Sequence, residues 1–265
     1  MIGRLLHRRW VSLVLSAVVM LALWQGLAVA IDSSLILPLP RQTLEVLVEN
    51  LGQLLFWQHV GATACRSLAA FVLSVAVGSL LGAAAGASRS FHNMLELPLA
   101  VVRATPVVSF ILLALFWLGS SFVPVFVAVL MSLPVMIASV ETGIINTDSQ
   151  LLDCCRSYGF SRRQLIRHLY IPSCKSYFFS GALSAFGLSW KVVAAGEVLS
   201  LPRRAAGTLL QSAKVHVETT EVFAVTLVLV AMSFTLEGLF SLVLRKAGLL
   251  PAGRDKASAG RRRMA

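Results

Sequence analysis

The chain predicts an all-α membrane protein with six transmembrane helices, and three observations lead there. Of its 265 residues, 57% are hydrophobic, and the mean hydropathy is +0.81, well above what a soluble domain with a polar surface gives. The apolar residues gather into runs of roughly 20, the length that crosses a hydrocarbon layer about 30 Å thick. The basic residues, which set the net charge of +11, flank these runs. About 16 Lys and Arg fall on the side shared by the two termini and the central loop; about 4 fall on the other, namely Arg41, Arg203, Arg204 and Lys214. The positive-inside rule then places both termini and the central loop in the cytoplasm of a multi-pass inner-membrane protein. The same placement accounts for the charge with membrane lipid, and not nucleic acid, as the surrounding partner.

Residues 1–10 form a cytoplasmic segment carrying Arg4, Arg8 and Arg9. The first span, about 11–30, is too long for the core of a signal peptide and lacks a cleavage site before Asp32, so it reads as a retained helix. Pro38 and Pro40 break the segment that follows. Leu44, Leu47, Val48, Leu51 and Leu55 then make an apolar stripe that lies flat on the membrane surface, packs on the body of the protein or is an ordinary amphipathic connector. The second span, about 60–87, repeats Gly78, Gly82 and Gly86 every fourth residue, a spacing for close helix approach. Its Arg66 is placed to snorkel outward. The third span, about 99–118, is interrupted by Arg103 and Pro106; the fourth, about 122–140, holds Pro124 and Pro134. The fifth, about 177–199, contains Lys191 and Glu197, and the sixth, about 222–244, contains Glu237. Residues 246–265 make a basic tail of disordered composition.

The cytoplasmic loop at 148–175 is the longest polar island. Leu151, Leu152, Cys155 and Tyr158 give a first short helix an apolar face. Gly159 suits the left-handed residue that ends it. Ser161 and Gln164 form a capping box for a second helix, with Leu165, Ile166, Leu169 and Tyr170 as its apolar positions and Pro172 as its stop.

The frame Asp153-Cys154-Cys155, Gly159, Leu169, Ile171-Pro172 resembles the EAA loop of ATP-binding cassette (ABC) importer permeases: Glu-Ala-Ala, three residues, Gly, nine residues, Ile, one residue, Leu-Pro. The spacing matches throughout; Asp-Cys-Cys replaces Glu-Ala-Ala, and Leu169 and Ile171 stand for Ile and Leu. From about Leu35 to Arg245 the chain is similar to the sulfonate, taurine and nitrate type, which has relatives importing thiamine or pyrimidine precursors. The stretches that carry this are Ile36-Leu-Pro-Leu-Pro40 with Trp57-Gln-His59, Arg103-Ala-Thr-Pro106 to Gly119, and Ser189-Trp-Lys-Val-Val-Ala-Ala-Gly-Glu-Val198. The family's Gly-Ile-Gly is reduced to Ala205-Ala-Gly207, a change expected to loosen the outer turn. The resemblance implies the type I importer architecture. It also implies a second permease copy (a homodimer), two cytoplasmic ATPase subunits that use ATP and Mg, and an extracytoplasmic substrate-binding protein. The substrate would be a small anion or nutrient such as an aliphatic sulfonate, taurine, nitrate or a thiamine or pyrimidine precursor. The ATPase-coupling loop maps to Asp153, Cys154, Cys155, Arg156, Ser157, Tyr158, Gly159, Phe160, Leu169, Ile171 and Pro172. Tyr158 and Phe160 are apolar anchors for a groove on the ATPase. Arg156, Arg162 and Arg163 either pair with acids at its rim or serve topology alone.

Ionisable side chains within spans mark pathways by default. Arg103, Pro106, Trp190, Lys191 and Glu197 are the translocation-pathway candidates, with Arg103 and Lys191 able to donate charge-assisted hydrogen bonds to an anion. The competing role is interhelical pairing: Lys191 and Glu197, six residues apart, cannot pair with each other on one helix. Trp190 can equally pack between helices. No nucleophile, base and orienter set occurs, nor a phosphate-binding Gly-rich loop ending in Lys. No catalytic residue and no cofactor is therefore assigned to this chain. The four cysteines lack zinc-ligand spacing and read as free thiols, so no metal site is assigned. An ion-gradient-driven transporter or channel is the alternative; it predicts an internal repeat with paired broken helices.

Overall fold

The computed structural model describes residues 2–246, with side chains from residue 11 onward. The predicted basic tail lies, from residue 247, outside the described residues, as do the side chains of Arg4, Arg8 and Arg9. The described chain is helical, without strands. Its helices are α1 (Ile2–Ile31), α2 (Pro40–Leu51), α3 (Leu54–Ala87), α4 (Arg89–Ala104), α5 (Val107–Ala114), α6 (Val123–Ile145), α7 (Ser149–Ser157) and α8 (Arg162–Leu165). A π-helical turn (Ile166–Tyr170) follows, then α9 (Ile171–Ser200), α10 (Ala206–Val215) and α11 (Thr219–Lys246). Five of the described helical segments are long and apolar enough to cross a membrane, or six when α4 and α5 count as one bent span.

That bent span corrects one expectation. The predicted third span, 99–118, is not a single interrupted rod: α4 and α5 meet at 97°. Pro106 has no N–H to continue the ladder, and it forces Thr105 into an extended conformation (φ −81°, ψ 130°). Two carbonyls near the end of α4 also accept from side chains, Val101 O in addition to the bond it takes from Thr105 N–H. Thr105 Oγ1 donates to Val101 O at 2.8 Å, and Arg103 Nε donates to Leu99 O at 3.2 Å.

The chain divides into two compact units. The first comprises residues 1–63 and 201–231. Here Trp24 stacks on Phe223 with centroids 5.7 Å apart and donates from Nε1 to Pro38 O at 3.0 Å. Asn50 donates to Glu221 at 2.9 Å. The turn before α10 is pinned: Ala205 N–H donates to His59 Nδ1 at 3.0 Å and Ala206 N–H to the buried Thr63 hydroxyl at 2.9 Å. Ala205 and Ala206 are fully buried. The expected loosening at Ala205-Ala-Gly207 does not occur, because small side chains there let the backbone sit against α3 and satisfy its N–H groups.

The second unit comprises residues 64–200 and 232–265, of which 64–200 and 232–246 are described. Its spine is the antiparallel pair α6 and α9, the most extensive helix contact among the described residues. Small residues set the spacing along the whole pair. A Cβ on Gly196 would lie 3.0 Å from Pro124 Cα, one on Gly181 would lie 2.4 Å from Ser139 Cβ, and one on Gly143 would lie 3.1 Å from Cys174 Cα. Between these points the buried hydroxyls of Ser132 and Ser189 meet at 3.0 Å. The glycine ladder of α3 behaves as its spacing predicts. Gly78, Gly82 and Gly86 press on Met136, the Ile137 backbone and Ile144 of α6, with a hypothetical Cβ at 2.7–2.8 Å from each. Phe71, Phe186 and Phe240 close the unit as an aromatic cluster with centroids 5.1–5.4 Å apart.

Candidate functional site

The predicted coupling loop leaves the end of α6 and returns into α9, at one end of that spine. Asp148 caps α7, its Oδ1 accepting from Gln150 N at 2.8 Å and Leu151 N at 3.4 Å. Gly159 takes φ +72°. Its N–H donates to Arg156 O at 2.9 Å and the Phe160 N–H reaches back to Cys155 O at 3.1 Å, the paired bonds of a Schellman ending. The capping box at α8 is also present: Ser161 N–H donates to Gln164 Oε1 at 2.7 Å, and Gln164 N–H donates to Ser161 Oγ at 3.4 Å.

The resulting knob is bare. Tyr158 is 80% exposed, and Leu151, Ile166 and Ile171 are more than half exposed. Phe160, Asp153, Cys154, Arg156, Ser157 and Pro172 are exposed as well, Cys155 is half-buried, and Leu169 alone is buried. Asp153 and Arg156 approach to 3.8 Å on the surface, a pair too solvated to hold the helix. It is the backbone motifs that fix the knob's shape.

One expectation here is overturned. Pro172 does not stop the second helix. The chain passes from α8 through the π-helical turn directly into α9. Ile171 N–H bonds Ile166 O five residues back. This wider turn gives room to the Pro172 ring and to the carbonyl left without its donor. Proline in the first turn of α9 is thereby compatible with a continuous helical path.

The pathway candidates separate. Arg103 is exposed beside the α4–α5 break, and Pro106 is the N-cap residue before α5. Trp190 is 4% exposed and packed inside the second unit. Glu197 is completely buried, its Oε1 accepting from Arg66 Nη1 at 2.8 Å. Arg66 therefore does not snorkel outward: burial beside a carboxylate supplies a better partner than the interface, and the side chain turns to α9. Lys191, about 1.7 turns before Glu197, points elsewhere and is exposed. It lines a groove of about 430 Å³ with Leu183, Ser184, Gly187, Leu188 and Glu237. The sequence did not bring Glu237 to Lys191, because one-dimensional spacing carries no information on which faces of α9 and α11 meet. Asp148 was not singled out from the sequence as a cap, although an Asp directly before a helix-forming run is the signal for one. His92 of α4 pairs with Glu141 of α6, a second contact that only the fold reveals.

A family model described as the inner-membrane component of binding-protein-dependent transport systems matches residues 46–248. The chain is 27% identical over 230 residues to the taurine transport system permease protein of Escherichia coli (strain K12), covering 83% of this chain and 82% of that protein. It is 27% identical over 215 residues to a putative aliphatic sulfonates transport permease of the same organism, covering 80% of each. It is 29% identical over 241 residues to the riboflavin transport system permease protein of Chloroflexus aurantiacus, covering 89% of each. Among solved structures, an amino acid ABC transporter with histidines superposes with a TM-score of 0.58 at 18% identity, covering 72% of this chain and 91% of that one, a likeness of fold. The chain belongs to the family of inner-membrane components of binding-protein-dependent transport systems, and is a multi-pass ABC importer permease, a transport protein and not an enzyme.

Proposed function

We propose that this chain forms, with a second copy of itself, the translocation pathway of an importer for a small anion or nutrient. Aliphatic sulfonates and taurine are the first candidates, followed by nitrate and thiamine or pyrimidine precursors. Two cytoplasmic ATPase subunits would grip the knob at residues 148–172, using ATP and Mg that this chain does not itself bind, and an extracytoplasmic protein would deliver the substrate. The observation that carries this reading is an exposed, backbone-capped knob seated on the α6–α9 pair. Tyr158, Leu151 and Phe160 offer apolar area to a groove. Arg156, Arg162 and Arg163 surround them with positive charge. Because α6 and α9 approach closely at Gly143, Gly181 and Gly196 and at the Ser132–Ser189 pair, a pull on the knob is carried by close-packed helices with little slack. Both termini are assigned to the cytoplasm by the distribution of Lys and Arg. A gradient-driven transporter has no use for such a knob, and the family does not favour it.

Gly159→Pro tests the coupling. Proline cannot adopt φ +72° and cannot donate to Arg156 O, so the knob must change shape while the spans keep their packing. The reconstituted importer should lose substrate-stimulated ATPase activity and uptake at unchanged membrane expression. Full stimulated activity would remove the loop from the mechanism.

A further inference from the structure

We infer that the groove between α9 and α11 is a two-point station for a small zwitterion, with Lys191 taking the acid end and Glu237 the amine end; this rests on the permease reading above. Both residues lie in helices of membrane-spanning length, where an ionisable side chain is costly unless it has a partner or a task. They line the same groove, yet among the described residues neither belongs to an ion pair. Arg66 and Glu197, in the same unit, show the contrast: there the two charges meet each other at 2.8 Å.

Glu237 is positioned. Ser233 Oγ donates to its Oε1 at 3.3 Å. The same oxygen lies over Gly187, where a Cβ would stand 2.5 Å away; any side chain at 187 would push the carboxylate out of place. Lys191 follows Gly187 by one helical turn, about 6 Å along α9. The two charges therefore sit at staggered heights of one groove, with Ser184 as a further polar lining residue and Leu183 and Leu188 as apolar ones. A volume of about 430 Å³ falls within the roughly 300–1,000 Å³ of small-molecule sites. A plain anion attracted by Lys191 meets the repulsion of Glu237, and a plain cation meets the converse. A solute bearing both charges a few bonds apart satisfies both. A second depression, on α2, is lined by Arg41, Leu44, Glu45 and Val48, and its two charges already pair with each other at 2.9 Å.

The test uses the full-length permease with its ATPase partner in lipid nanodiscs and two probes, taurine (a zwitterion) and ethanesulfonate (its counterpart without the amine), with binding read by ligand-observed NMR. Wild type should bind taurine at least tenfold more tightly than ethanesulfonate. Glu237→Gln and Gly187→Ala should erase that preference. Lys191→Met should weaken both probes at least tenfold, and Lys191→Arg should retain binding, which separates lost charge from lost fold. No binding of either probe to wild type, or a preference unchanged by Glu237→Gln, overturns the inference. If Gly159→Pro uncouples the importer while the groove variants bind like wild type, the permease reading stands and the station falls. If selective binding holds while Gly159→Pro is silent, the station stands and the coupling reading falls.

Discussion

Substituting Gln for Glu197 strips the charge from a carboxylate with no solvent contact and leaves the Arg66 guanidinium, whose side chain is 17% exposed, facing it across 2.8 Å. Breaking a buried ion pair by removing one partner costs about 3–5 kcal/mol, mostly because the remaining charge is buried without compensation. Arg66 and Glu197 each have further polar partners, so the expected loss for Glu197→Gln sits at the lower end, about 3 kcal/mol. An ordinary polar contact between membrane helices averages about 0.6 kcal/mol, so the size of the loss identifies the interaction. The double variant Arg66→Met with Glu197→Leu leaves no stranded charge and should lie within about 1 kcal/mol of wild type. Reversible unfolding in mixed SDS and mild-detergent micelles, followed by tryptophan fluorescence, measures all of these. A loss below about 0.5 kcal/mol for Glu197→Gln, taking the ordinary contact as the yardstick, would refute the reasoning. So would a double variant as unstable as the two single losses added together.

Gly82→Ala places a Cβ 2.7 Å from the Ile137 carbonyl oxygen, which is backbone and cannot move aside; it should cost about 1–3 kcal/mol by the same unfolding measurement, whereas Gly26→Ala, with nothing within 4 Å, should be neutral or slightly stabilising. Val217 holds φ +61° at the end of α10 and is 60% exposed, so Val217→Gly should stabilise by about 1 kcal/mol. Cys154 is exposed on the knob; a membrane-permeant maleimide should label it in intact cells and an impermeant one should not, and the reverse would invert the topology.

The knob was the most legible part of the molecule, because its signals are local. A left-handed turn at Gly159 and a Ser161–Gln164 box each need only a few neighbouring residues, and both formed as their spacing predicts. The glycines of α3 were legible for a related reason: a repeat of four on a helix defines one face. The partners were not legible. Arg66 and Glu197 are 131 residues apart, and nothing in either neighbourhood names the other. Lys191 and Glu237 line one groove, and it is Gly187 that leaves room there for the Glu237 carboxylate. The bend at Pro106 was visible as a break, but its angle depends on where α5 finds apolar cover, at Ile111 and Ala114 in the core with Val123, Val127 and Val193. The run past Pro172 was missed because a proline was read by its ordinary rule, and the π-helical turn that accommodates it has no simple sequence signature.

That wide turn acts as a phase shifter. One surplus residue between α8 and α9 rotates α8 by about 100° relative to α9, so it helps to set which side chains of the knob face outward. Deleting a single residue from 166–170 would restore regular winding, bring the Pro172 ring against a carbonyl, and swing Tyr158 to a different compass bearing while leaving its own helix intact. The direction in which the 148–172 knob faces is therefore tuned by helix winding as much as by the residues on it.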